Sequence, residues 1–181
     1  MEEQHVRLIS AARQGDKDAF SQLVTLYKDY VYRIAYGVLT NHAEAQDVTQ
    51  EVFVTTFLRL SSLREPAAFP AWLARATTNR AIDVTKRRRR YSTIPIEDQQ
   101  IPGPSNEIEQ VDNQLSVERL LAELTPIHRA VIVLREIQGL DYEQIANVLD
   151  VPVGTVRSRL SNARTQLKRL VEKSDERRET I

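Results

Sequence analysis

The chain has 181 residues, 41% hydrophobic and 28% charged, with 25 basic side chains balanced by 25 acidic ones, a length for one domain or two small ones and a composition suited to a soluble, helix-rich protein. There is no cysteine, which excludes a disulfide framework and a thiolate metal site, and His5, His42 and His128 are not in ligand spacing, so neither metal nor cofactor is expected. No apolar run approaches the roughly 18 residues of a membrane span, and MEEQHVRLIS is not a signal peptide, so the expected location is the cytoplasm, without membrane insertion.

Glu3 to Gln14 reads as a short helix with Val6 and Ile9 inward; Gly15-Asp16 ends it, and Asp16 caps the next. From Lys17 to Leu39, Phe20, Leu23, Tyr27, Tyr30, Val31, Ile34 and Val38 recur at helical spacing. The tyrosines share that stripe with aliphatic residues, so a core role is favoured over stacking on bases. Asn41 followed by Glu44 marks a third helix start, running to about Leu60 with Val48, Val52 and Leu60 inward. On it Asp47, Gln50 and Glu51 share one face, which on its own reads as solvated surface.

Ser61 to Pro66 is a loop, and a helix starting between Pro66 and Pro70 runs to about Arg90. Trp72, Leu73, Ala76 and Val84 can pack, while Arg75, Asn79 and Lys86 lie along one side with Ile82 among them. Lys86 to Arg90 is a run of five cations, suited also to a helix C-terminus.

Tyr91 to Asp112 has the make-up of a linker: Pro95, Pro102, Gly103, Pro104 and the acids Glu97, Asp98, Glu107, Glu109 and Asp112. Basic stretches flank it, so the zero net charge does not argue against DNA. As a coil its length averages roughly 25 Å and fully extended it reaches roughly 70 Å, enough for the two sides to dock one to two helical turns of DNA apart, at about 34 Å per turn.

Leu115, Leu120, Leu121 and Leu124 form the next helix. Thr125-Pro126 is a strong start for another, with the stripe Ile127, Val131, Leu134 and Ile137 and an end at Gly139. Then comes DYEQIANVLD-VPVG-TVRSRLSNARTQLKR. Asp141 and Gln144 make a capping box, Ile145, Ala146 and Leu149 an apolar face, and Pro152 breaks the periodicity before Thr155 opens a longer helix. Around Val156, the residues Leu160, Ala163, Leu167 and Leu170 fall within about 40°. Arg157, Ser158, Ser161, Asn162 and Thr165 lie opposite, free of acid. A helix docked by one face and offering Arg, Ser and Asn on the other suits the major groove, where Arg reads guanine and Asn reads adenine. Arg159 lies beside the stripe, suited to a phosphate or a neighbouring helix. Residues from Lys173 onward look frayed.

These motifs together resemble the extracytoplasmic-function group of bacterial sigma factors, the promoter-recognition subunits of RNA polymerase. AEAQDVTQEVF is similar to the family's polymerase-binding helix, FPAWLARATTNRAID to its −10 helix, and LTPIHRAVIVLREIQGLDYEQIANVLDVPVGTVRSRLSNAR to its −35 domain. The fold expected is all-α: a sigma-2-like domain over 1–90, the linker 91–112, a sigma-4-like helix-turn-helix domain over 113–173, and a tail 174–181.

The resemblance implies roles for individual residues. Asp47, Gln50 and Glu51 would dock on the clamp helices of the polymerase largest subunit, with the flap region as a second polymerase contact. Arg75, Asn79, Lys86 and Arg87 would hold the melted −10 strand, and 61–69 would be the loop that captures a flipped base. Arg135 would contact phosphate beside the −35 element, with Gly154, Thr155, Arg157, Ser158, Ser161 and Asn162 in its major groove. An anti-sigma partner is implied by the resemblance alone. Three departures stand out: Gln46 replaces an acid, Ala76-Thr77 a bulkier pair, and Asp150 occupies a position often held by glycine, in a residue type that tolerates the left-handed conformation. The competing reading is an autonomous helix-turn-helix repressor or activator. No nucleophile with a nearby base and no carboxylate cluster is evident, so an enzyme is not expected.

Overall fold

The computed structural model describes residues 3–92 and 112–179, and among these every regular element is a helix. The acidic linker, apart from its first two residues and its last, lies outside the described residues, as does the side chain of Leu115. Helix α1 is Glu3–Arg13, α2 Lys17–Leu39, α3 His42–Arg59 and α4 Phe69–Ser92; two short 3₁₀ turns, Leu60–Ser62 and Pro66–Ala68, join the last pair. After the linker come α5 (Asp112–Ala122), α6 (Pro126–Ile132), a π-helical turn (Val133–Ile137), α7 (Tyr142–Leu149) and α8 (Val153–Glu179).

The helix starts follow from local chemistry. Asp16 accepts the N–H groups of Asp18 and Ala19, each at 2.9 Å, and Asn41 accepts that of Glu44 at 2.9 Å. Asp141 and Gln144 form the reciprocal capping box, at 2.8 and 2.9 Å. Thr125 caps α6 with Pro126 in its first turn. Helix α2 ends at Thr40 and α7 at Asp150, both left-handed, with φ of 53° and 55°.

Helices α1 to α4 enclose one core, built from Ile9, Leu23, Val31, Val38, Val48, Val52, Leu60, Phe69 and Leu73. Tyr27 and Tyr30 pack against it, Tyr27 edge-on to Phe69 at 5.2 Å, which is the core role expected of them. A second core gathers Leu121, Leu124, Val131, Ile132, Leu134, Ile145, Val148, Val156, Leu160 and Ala163. The cores interleave. Ile34 of α2 and Ala74 of α4 belong to the second, and Ala130 of α6 to the first, all fully buried. Gly37 permits this approach of α2 to Val133. Buried Arg129 ties the modules together, donating to Val38 O at 2.6 Å and to Ala122 O and Leu124 O at 3.0 Å. Burial, aided by the nearby charge of Arg88, pushes its pKa down to about 10, so it stays cationic at neutral pH.

Three expectations change. The stripe Ile127–Val131–Leu134–Ile137 is not the buried face: Ile127 and Ile137 are exposed, while the continuous run Ala130 to Leu134 is buried. That segment is enclosed on both sides, by α8 and by α2, and the π-helical turn breaks the 3.6-residue phase. Helix α8 begins at Val153 instead of Thr155, because Pro152 needs only to offer its carbonyl, which accepts the N–H of Thr155 at 2.9 Å. At its other end α8 continues to Glu179, through residues rich in good helix formers.

Candidate nucleic-acid interface

Helix α8 buries Val156, Leu160 and Ala163, and with them fixes which side chains face out. Arg157, Ser158, Ser161, Asn162 and Thr165 are exposed, as the angular sorting predicts; Gly154 is also exposed and Thr155 half-buried. Starting the helix at Val153 places Gly154 and Thr155 in its first turn, where backbone N–H groups point outward and attract anions.

Arg135 reaches the same region from another element. The π-helical turn carries it there, its guanidinium donating to Leu140 O at 2.8 Å and lying 5.2 Å above the Tyr142 ring. Arg135, Asp141, Tyr142, Glu143, Val153 and Arg157 line an open cavity of about 380 Å³. Two guanidiniums beside a helix N-terminus can hold a phosphate while the outer face of α8 lies along base edges. Asp141 is occupied by its capping box, so Glu143 is the other carboxylate on that wall. Arg164 lies outside the cavity and pairs with Glu136 at 2.6 Å.

On α3, Asp47 and Gln50 are exposed. Glu51 is also exposed but already engaged: Arg80 of α4 donates to its carboxylate, and that bond holds the carboxyl below the usual range. Sequence reasoning missed Arg80. It also missed Val54 and Leu58, exposed by 62% and 71%, which continue the Asp47 face at helical spacing. Extending the angular sorting along α3 would have found both.

Helix α4 brings Arg75, Asn79 and Lys86 to one side, but that side is partly covered. Arg75 donates to Asp150 at 2.8 Å. Asn79, Ile82, Asp83 and Lys86 share a cavity of about 340 Å³ with Ile127, Ala130, Leu149, Val151 and Arg159 of the C-terminal module. Arg159 therefore faces a neighbouring helix, one of the two placements expected for it. The basic run is partly offset: Lys86 lies 3.9 Å from Asp83, and Arg88 lies 3.4 Å from Glu44. Arg87 is exposed, and the side chain of Arg89 lies outside the described residues. In the segment 61–69, Leu63 and Phe69 are buried, so their side chains present no surface to a base. Arg13 fixes this loop by donating to Leu63 O at 3.0 Å and Arg64 O at 2.9 Å.

These features define a DNA-reading helix-turn-helix packed against a helical module with its own polar and apolar surfaces. Comparison with known proteins makes the assignment specific. A family model for sigma-70 region 2 matches residues 23–91, and one for sigma-70 region 4 matches 114–167. The chain is 35% identical over 170 residues to the ECF RNA polymerase sigma-E factor of Escherichia coli (strain K12), covering 87% of this chain and 88% of that protein. It is 37% identical over 161 residues to the ECF RNA polymerase sigma factor SigE of Mycolicibacterium smegmatis, covering 86% of this chain and spanning 62% of that longer protein. The solved structure of CnrH in complex with the cytosolic domain of CnrY superposes with a TM-score of 0.71 at 27% identity, covering 93% of this chain and 97% of that one. The chain belongs to the extracytoplasmic-function sigma factors. It acts in promoter-directed transcription initiation, with core RNA polymerase and promoter DNA as partners.

Proposed function

We propose that the two modules divide promoter recognition between them, with 1–90 serving the −10 element and core polymerase, 113–173 serving the −35 element, and 91–112 linking them. Arg157, Ser158, Ser161 and Asn162 read the −35 element as duplex, Arg135 holds an adjacent phosphate, and Gly154 and Thr155 supply first-turn contacts. The observation that carries this reading is the shared cavity of Arg135 and Arg157 beside an exposed acid-free helix face. Arg75, Asn79, Lys86 and Arg87 hold the melted −10 strand, which needs a positive track for its backbone. Asp47 and Gln50 dock on the clamp helices of polymerase, Glu51 contributing through its tie to Arg80, and the C-terminal module meets the flap region.

Melting costs about 1.4 kcal/mol per stacked step. Two small modules alone do not offset that over several steps, so promoter opening requires the polymerase. The chain is a specificity subunit without a reaction of its own, working in the cytoplasm where the chromosome lies. An anti-sigma protein is a further partner in this reading. CnrH, which the chain resembles in fold, is bound in its solved structure to the cytosolic domain of CnrY.

Co-elution with purified bacterial core polymerase tests the assignment. Wild type should bind stoichiometrically, and Asp47→Ala/Gln50→Ala should bind weakly. Failure of well-folded wild type to bind would sink the sigma assignment in favour of a stand-alone helix-turn-helix regulator.

A further inference from the structure

The chain between α3 and α4 is shaped by a residue 50 positions before it. Its two 3₁₀ turns, Leu60–Ser62 and Pro66–Ala68, close on themselves: Leu63 N–H donates to Leu60 O and Ala68 N–H to Glu65 O, each at 3.0 Å. Leu60, Leu63 and Phe69 are buried in the first core and pin the loop to it. Between the turns the backbone is extended at Leu63 and Glu65. No backbone N–H among the described residues donates to the carbonyls of Leu63 and Arg64. Arg13 serves both, one terminal nitrogen lying 3.0 Å from Leu63 O and 2.9 Å from Arg64 O.

Arg13 itself is firmly held. It is half-buried on the last turn of α1, where the helix dipole favours a cation. Ile9 and Ala12 seat that turn in the core, and Gly15, with φ of 98°, turns the chain into the cap at Asp16. A trans peptide unit points its C=O and its N–H in opposite directions, and the described residues contain no cis peptide. Both carbonyls turn toward Arg13, so the N–H groups of the same two peptide units, those of Arg64 and Glu65, point away from it. Both residues are exposed, and neither N–H has an acceptor among the described residues. Two neighbouring donors therefore face outward from a loop whose path is set from behind.

We propose that Arg13 is a positioning residue for −10 recognition: it fixes the backbone of 63–65 so that the Arg64 and Glu65 N–H groups meet the acceptor edge of a base extruded from the strand, and without touching DNA it sets how sharply that base is chosen. An unstacked base is read by hydrogen bonds to its edge. Fixed donors discriminate because a base without matching acceptors leaves them unpaired. Donors that can swing by about an ångström lose that selectivity. Leu63 and Phe69 spend their side chains on the core, which leaves the backbone between the turns as what a base can approach. The role rests on the assignment of 61–69 to base capture.

The test is a promoter library randomised across the −10 and −35 regions and transcribed by core polymerase loaded with each protein in turn. The proteins are wild type, Arg13→Met, Arg13→Gln, Arg13→Lys and Arg64→Gly/Glu65→Gly, checked for fold by urea unfolding and for loading by co-elution. Methionine keeps an unbranched stem and removes the donors. Arg13→Met should cut base discrimination at one −10 position by roughly five- to tenfold, the low end of what one bidentate base pairing supplies. Polymerase binding and −35 preference should not change. Arg13→Gln, too short to serve both carbonyls, carries the same expectation if the methionine variant does not fold. Arg13→Lys, which keeps a charged donor, should recover much of the loss. Unchanged discrimination at every −10 position overturns the proposal. So does a fall shared evenly by −10 and −35 positions, which would reduce Arg13 to general stability. The loop variant separates the two failures. If Arg64→Gly/Glu65→Gly flattens no position, base capture by 61–69 falls and the role of Arg13 with it. If it flattens a position that Arg13→Met leaves sharp, the positioning alone falls.

Discussion

Gly37 of α2 lies so close to Val133 of the π-helical turn that a Cβ there would fall 2.6 Å from Val133 Cγ2 and 3.0 Å from Cγ1. Both residues are fully or nearly fully buried, and they belong to different modules. The glycine has no positive φ to require it, so it is there for the approach of the two helices.

Gly37→Ala should therefore destabilise the protein, although alanine is the better helix former by about 1 kcal/mol. Overpacking typically costs about 1–3 kcal/mol, and Val133 has little room to rotate. The net loss expected in urea unfolding is about 1 kcal/mol. Gly154→Ala is the control, because a Cβ at Gly154 meets nothing within 4 Å. It should be neutral or mildly stabilising; equal effects at the two glycines would show that the close approach carries no energy.

Asp141→Ala removes one half of the capping box that starts α7. The Gln144 N–H loses its acceptor, and the loss should be about 0.5–2 kcal/mol in denaturant unfolding. Asp141→Asn should recover most of it, since asparagine caps nearly as well. A variant with alanine as stable as wild type would remove the box from the determinants of the turn.

Arg157→Ala should weaken −35 recognition by about 1–3 kcal/mol and relax base preference at one position. Arg135→Ala should instead weaken binding uniformly across sequences and lower the salt dependence, as loss of a phosphate contact does. A promoter-library selection with the holoenzyme checks both. An unchanged preference for Arg157→Ala would exclude Arg157 from base readout.

The Glu51 carboxyl is held below the usual range by the bond from Arg80. A depressed acid contributes stability above its unfolded-state pKa and loses it as pH falls through the folded value. Arg80→Met should thus lower stability near neutral pH and converge with wild type once Glu51 is protonated in both. Both side chains are substantially exposed, so the difference at neutral pH should be only about 0.5 kcal/mol. Urea midpoints of the two proteins from pH 7 to pH 3 measure it, and a gap that widens on acidification would contradict the assignment.

Much of this is legible in the amino-acid sequence. Capping residues announce themselves by type and position, so the starts at Asp16, Asn41, Thr125 and Asp141 could be read directly. The recognition helix was legible because one face is aliphatic and the opposite face has no large apolar residue. Periodicity failed at Ala130 to Leu134, where enclosure on two sides erases the polar half of the pattern. It also gives no sign of Phe69, which the family resemblance puts in the base-capturing loop 61–69 and which is fully buried at the start of α4.

The sequence by itself determined the all-helical class, the helix-turn-helix and the family, because these rest on local chemistry and on residues at short, fixed spacings. Only the tertiary structure decided how the two modules meet. Gly37 against Val133, Arg129 on Val38 O and Arg75 on Asp150 join residues 75 to 96 positions apart. Pairings at that separation depend on how packed surfaces fit, which neither propensity nor period encodes.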